Sequence, residues 1–152
     1  MNSTSSGTTV TPTTPTGLYR SDDGGTSWKK VNDENPRPMY FSQVRIDPND
    51  PDVIIYAGVK LHHSTDGGKT VSTNATQTIH DDVHAIWIDP ANSNHVLIGN
   101  DGGLAVSFDQ TKTWSFFHNL PIGLFYHVSV DMATPYNICG GMQDNYVWCG
   151  PS

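Results

Sequence analysis

Thr78-Ile79-His80-Asp81-Asp82-Val83-His84 places two imidazoles and two carboxylates in one short run, and Gly99-Asn100-Asp101-Gly102-Gly103 adds an amide and another carboxylate. A second pair of stretches, Asn119-Leu120-Pro121-Ile122-Gly123-Leu124-Phe125-Tyr126 and Gly140-Gly141-Met142-Gln143-Asp144-Asn145, supplies aromatics, amides and an acid. Three chemistries suit these residue types. Metal binding by His80, Asp81, Asp82 and His84 fits zinc or calcium by ligand type. The spacing matches no established ligand pattern, and an extended strand would hold His80 and His84 far apart. Hydrogen-bonded loop residues are therefore expected, with no metal and no cofactor. Glycoside hydrolysis needs two acids roughly 5–10 Å apart across a cleft, and Asp101 with Asp81, Asp82 or Asp144 could supply one. Asp101 is the sole, weak catalytic candidate. The third chemistry is plain ligand binding, by His80, Asp81, Asp82, His84, Asn100, Asp101, Tyr126, Gln143, Asp144 and Asn145. No local signature of a Ser-His-Asp or Cys-His nucleophile accompanies them.

What must position these residues is a repeat. Ser21-Asp22-Asp23-Gly24-Gly25-Thr26-Ser27-Trp28, Ser64-Thr65-Asp66-Gly67-Gly68-Lys69-Thr70-Val71 and Ser107-Phe108-Asp109-Gln110-Thr111-Lys112-Thr113-Trp114 follow one another at steps of 43 residues. A second landmark, Val44-Arg45-Ile46-Asp47-Pro48, Ile86-Trp87-Ile88-Asp89-Pro90 and Val128-Ser129-Val130-Asp131, recurs every 42. Periods of this length mark propeller blades or solenoid units. Each period reads as four short β-prone runs separated by turns, and none has helical periodicity. The expected fold is all-β: a partial β-propeller of four-stranded antiparallel blades. The boundaries read as a Ser/Thr/Pro linker over 1–16, an incomplete blade over 17–40, blades over 41–82 and 83–124, and an incomplete blade over 125–152. Three periods fall short of a ring, so missing blades or a second chain are expected as partners. In a meander the Ser-x-Asp and Ile-Asp-Pro turns share one rim. The inter-blade connections and the turn between second and third strands share the other, where the His80, Asp101 and Asp144 stretches should converge.

The 152-residue chain carries 8 Lys and Arg against 15 Asp and Glu, a net charge of −7, with no basic run interleaved with aromatics. Nucleic acid and anionic membrane surfaces are thus poor partners, and no apolar run approaches the roughly 18 residues of a membrane span. The N-terminus shows neither a basic nor an apolar signal-peptide region. Residues 2–16 are nearly all Ser, Thr, Pro and Gly and should form a flexible linker. Cys139 and Cys149 flank a turn-like segment and either face each other as a disulfide or stay as two buried thiols. Asn2-Ser3-Thr4 and Asn74-Ala75-Thr76 are glycosylation sequons.

The repeated Ser-x-Asp-x-Gly-x-Thr-Trp motif resembles the Asp-box, or BNR repeat, of sialidases, sortilin-type receptors and xyloglucan-cutting propeller hydrolases. Its Asp can accept backbone N–H groups within its own turn, its Gly takes a conformation forbidden to side chains, and its Trp covers the turn and packs between sheets. Ser21, Asp23, Gly25, Trp28, Ser64, Asp66, Gly68, Ser107, Asp109 and Trp114 are accordingly structural. Val71 stands where Trp is expected, and Thr111 where Gly is expected, so Thr111 should strain or reshape its turn. Sialidase chemistry fits badly: Arg20, Arg37 and Arg45 are the only arginines, and no Arg-Ile-Pro motif precedes the repeats. From His84 to Ser152 the chain resembles sortilin-type and xyloglucanase-type propellers, through His84-Ala85, Ile88-Asp89-Pro90, Gly99 to Gly103, Phe125-Tyr126 and Gly140 to Asn145. The resemblance implies a secreted or extracytoplasmic module, part of a larger protein, that binds protein, peptide or glycan. Alternatively it implies a fragment of a glucan hydrolase, whose two catalytic aspartates would come from separate lobes, Asp101 loosely matching one.

Overall fold

The computed structural model describes residues 16–37, 43–73 and 78–152. The linker, the two sequons and the segment just before the second period lie wholly or mostly outside the described residues. The chain divides into two compact units, Met1–Asn35 and Pro36–Ser152. Every described element is a strand, and no helix is long and apolar enough to cross a membrane.

In the first unit β1 (Leu18–Arg20) and β2 (Lys29–Asn32) form an antiparallel hairpin around the first Ser-x-Asp turn. The second unit is a partial β-propeller. Its sheets are the three-stranded meander β3 (Gln43–Ile46), β4 (Ile54–Ala57) and β5 (Leu61–Ser64), the four-stranded meander β6 (Val83–Ile88), β7 (Val96–Asn100), β8 (Gly103–Ser107) and β9 (Ser115–Phe116), and the three-stranded meander β10 (Phe125–Val130), β11 (Asn137–Met142) and β12 (Val147–Pro151). All pairings are antiparallel between sequence neighbours. The fourth run of the second period is reduced to a single bridge, Ser72 to His63. The third period, by contrast, builds all four strands.

Period-2 alternation decides which face is buried. On β6, Ile86 and Ile88 point one way with Val96, Ile98 and Ala105 of the paired strands, while Trp87 points the other way with Leu97. The first set packs on Ile55, Ala57 and Leu61 of the preceding sheet, and Trp114 and Phe116 close its side. Burying branched side chains of this size contributes about 1.5–3 kcal/mol each, so this sheet-to-sheet contact is the principal core. Polar stitches reinforce it. The Arg45 guanidinium Nε donates to the Ile86 carbonyl at 3.2 Å. Ser93 Oγ donates to Asp47 Oδ1 at 2.7 Å, and Asn49 Nδ2 donates to the Pro90 carbonyl and to Ser93 Oγ, both at 3.1 Å.

Cys139 and Cys149 are a directly opposed pair on β11 and β12 and form a disulfide, with Cα atoms 4.1 Å apart. Of the two readings open in the sequence, the oxidised one is the structure found.

Candidate functional site

The three Ser-x-Asp turns share one hydrogen-bond scheme. The Ser hydroxyl donates to the Asp carboxylate at 2.8–2.9 Å. The same hydroxyl oxygen accepts the N–H of Gly25, Gly68 or Thr111, four residues on, at 2.8–2.9 Å. The carboxylate then accepts the backbone N–H and side-chain hydroxyl of Ser27, Thr70 or Thr113. Bonds donated to the charged form hold it charged: Asp23, Asp66 and Asp109 are each lowered to about 2, chiefly by the side-chain and backbone bonds from Ser27, Thr70 and Thr113. A carboxylate so fully engaged is a turn element, with no capacity left for proton transfer.

Thr111 does not reshape its turn. Gln110 and Thr111 adopt φ of 57° and 72°, close to the 72° and 89° of Gly67 and Gly68. The bond network wins over the preference of a β-branched residue for negative φ, so the strain is carried locally. Trp28 also departs from expectation. It is exposed and donates its indole N–H to the Gly25 carbonyl at 3.1 Å, capping its own turn. Trp114, in contrast, packs against the sheet core.

On the opposite rim the sequence-selected stretches do meet. The entry to β6 and the β7–β8 turn are joined by Asn100 Nδ2, which donates to the His80 carbonyl at 3.0 Å, and by the Asp101 N–H, which reaches the Asp82 carbonyl at 3.3 Å. Asn100 Oδ1 accepts the Gly102 N–H at 3.0 Å, closing the turn. A Cβ on Gly102 would lie 2.6 Å from His80 Cβ, so the close approach of the two segments requires glycine there. Asn145, from the β11–β12 turn of the next sheet, donates to the Asp101 carbonyl at 2.7 Å and to Gln143 O at 3.0 Å. The Gln143 N–H donates to the Leu124 carbonyl at 2.8 Å, which brings the 119–126 stretch alongside.

His80 is the bridge. Its Nδ1 lies 2.9 Å from the Asp81 carbonyl and its Nε2 lies 3.0 Å from the Asp144 carbonyl. Both partners are acceptors, so both ring nitrogens are satisfied only when the imidazole is protonated. Its pKa is raised, mainly by the Asp81 carbonyl and then by the Asp144 carbonyl, with the Asp101 and Asp144 charges adding and partial burial opposing.

The acids are spoken for. His84 Nε2 sits 2.8 Å from Asp101 Oδ1. Lys60 Nζ pairs with Asp81 at 2.7 Å, and Arg37 with Asp82. Asp144 contributes its backbone carbonyl. Tyr126 lies at the register shift in β10 with its ring exposed. Among the described residues no three His, Cys, Asp or Glu side chains converge as a metal-holding group. Arg37 and Lys60 escaped the sequence reading of this rim. The signal available was electrostatic: Asp81 and Asp82 are adjacent and partly buried, which demands cations nearby in a chain with few. What results is a half-exposed patch of paired ions, amides and one charged imidazole, able to donate and accept hydrogen bonds to a polar ligand.

No protein-family model matches the chain, and no curated protein matches it. Among solved structures it is similar to an ancestral GH74 enzyme, with 19% identity and a TM-score of 0.48 over 66% of this chain and 13% of that one. It is also similar to the GH74 enzyme of Niastella koreensis, with 16% identity and a TM-score of 0.47 over 67% of this chain and 17% of the other. A third is the GH74 xyloglucanase of Xanthomonas campestris, with 16% identity and a TM-score of 0.46 over 81% of this chain and 22% of the other. The chain thus spans about one eighth to one fifth of the length of the structures it matches.

Proposed function

We propose that this chain is a glycan-binding segment of an extracytoplasmic propeller, and that its ligand sits on the rim built by His80, His84, Asn100, Asp101, Gln143 and Asn145. The observation that carries this reading is the pairing of the rim acids. Asp81, Asp82 and Asp101 each hold a basic partner, an arrangement suited to hydrogen-bonding hydroxyl groups rather than to proton shuttling between free carboxylates. The cross-strand disulfide supports an oxidising compartment. Titration of the chain with soluble β-glucan and xyloglucan oligosaccharides by calorimetry tests the reading. Asp101→Ala together with Asn145→Ala should weaken binding at least tenfold while the circular dichroism spectrum stays β-type. Affinities unchanged by both substitutions would reject the rim as the site.

A hydrolase reading is favoured by one contact only, the His84 imidazole on Asp101, which would tune that carboxyl if a second acid faced it from blades outside this chain. Under that reading a longer form carrying further blades cleaves xyloglucan and its Asp101→Asn variant does not. An inactive longer form removes the idea.

A further inference from the structure

The sheet β10–β12 has two unlike faces. Phe125, Val128, Val130, Ile138 and Trp148 share one face by register, and no charged side chain lies on any of its three strands. That face is open, with Val128 61% and Trp148 60% exposed. The disulfide occupies the opposite face. The outward face of β6–β9 is also open, with Trp87 45% exposed and Leu104 likewise uncovered beside Leu97.

The repeat says what these two faces are for. Val128 and Val130 stand 42 residues after Ile86 and Ile88, which cover the preceding sheet. Leu97 and Gly99 stand 42 residues after Ile55 and Ala57, which Ile86 and Ile88 cover. Each open face therefore occupies the repeat position of one half of the buried contact between β3–β5 and β6–β9. We infer that the apolar face of β10–β12 docks on the outward face of β6–β9 of the same chain, through a hinge at residues 117–124. The structure holds the open state. The two sheets are already pinned at the rim by Asn145 on Asp101 and His80 on Asp144, so closure is a rotation about that rim. A tether this short raises the effective concentration of the second face to the millimolar range or above, which favours sheet β6–β9 over another molecule as the occupant. Closure replaces two exposed apolar surfaces by one buried contact.

Hydroxyl-radical footprinting of the monomeric full chain tests this, with Tyr146, 94% exposed and outside both faces, as the internal reference. After correction for intrinsic reactivity, Trp87 and Trp148 should both be labelled at least threefold more slowly than Tyr146, independently of protein concentration. Val128→Asp should raise labelling of Trp87 on the other sheet, and Leu104→Asp should raise labelling of Trp148. Labelling of both tryptophans at the Tyr146 rate overturns the inference. So does protection that appears only as the chain dimerises, which would make a second copy the occupant. If either aspartate variant fails to fold, the wild-type footprint and its concentration dependence still decide.

Discussion

Ser107 and Ser21 occupy the same place in the repeat but different surroundings. Ser107 is fully buried and accepts the Thr111 N–H, whereas the Ser21 turn is exposed to water. Removing a buried acceptor leaves its donor unpaired, at a cost of about 1–3 kcal/mol, while water can replace an exposed one. Ser107→Ala should therefore lower the unfolding free energy by about 1–3 kcal/mol in urea titration, and Ser21→Ala by much less. The turn carboxylates also fix an acid limit. Their folded pKa of about 2 lies below the model value of 3.8. The stability they confer is complete above the unfolded value and disappears as pH falls through the folded one. Asp89 and Asp131 are lowered too, chiefly by the Ala91 N–H and by the Asn137 side chain, and act in the same direction. Thermal melts should hold level from pH 6 to about 4 and fall steeply between about 4 and 2. A midpoint temperature that stays flat across that interval would show that the turns do not hold the fold.

At the scale of strands and sheets, each blade keeps its Ile-Asp turn while changing its partners. Asp89 receives His95 at 3.2 Å and Asp131 receives the Asn137 amide at 2.7 Å, both six residues on. Asp47 has Val53 at that place, and its second carboxylate oxygen is buried without a partner among the described residues. Its first oxygen turns to Ser93 of the neighbouring sheet instead. The Asp47–Ser93–Asn49 clasp between sheets is thus specific to one junction: Ala91 and Pro135 fill the corresponding places at the next. That junction relies on other devices, and the sheet beyond it carries the disulfide. A cross-link closing a loop of this length stabilises by about 2–3 kcal/mol, chiefly by restricting the unfolded chain. Reduction, or the paired Cys139→Ser and Cys149→Ser change, should speed amide exchange across β10–β12 and leave β4 and β7 unchanged. Uniform loss of protection would mean that the sheets unfold as one body.

At the scale of the whole second unit, the rim is both the candidate site and the hinge of the last sheet. His80 joins them, and its raised pKa makes the link pH-dependent. A raised folded value means that the stabilisation is fully present below the ordinary 6.5 and is lost as pH rises through the folded value. Nuclear magnetic resonance titration of the His80 ring should give a midpoint above 6.5, and the Asn145 side-chain amide should broaden as the imidazole loses its proton. A midpoint below 6.5 would place the ring in a pocket that excludes charge, against the geometry seen here.

Two periodicities, 42 and 43 residues, were enough to read the all-β class, the order of short strands and the rim on which His80, Asn100, Asp101 and Asn145 meet. Those features follow from local pattern: alternation selects a face, and Gly, Asn and Asp select the turns. Pairing across distance was not legible. Nothing local to Asp81 or Asp82 names Lys60 or Arg37, and nothing near Thr111 announces that a bond network would hold it at positive φ. The oxidation of Cys139 by Cys149 and the reduction of one strand to a single bridge belong to the same class. Each depends on which groups the folded sheets bring within a few ångströms, and contact energies between distant segments leave no periodic trace in the chain that encodes them.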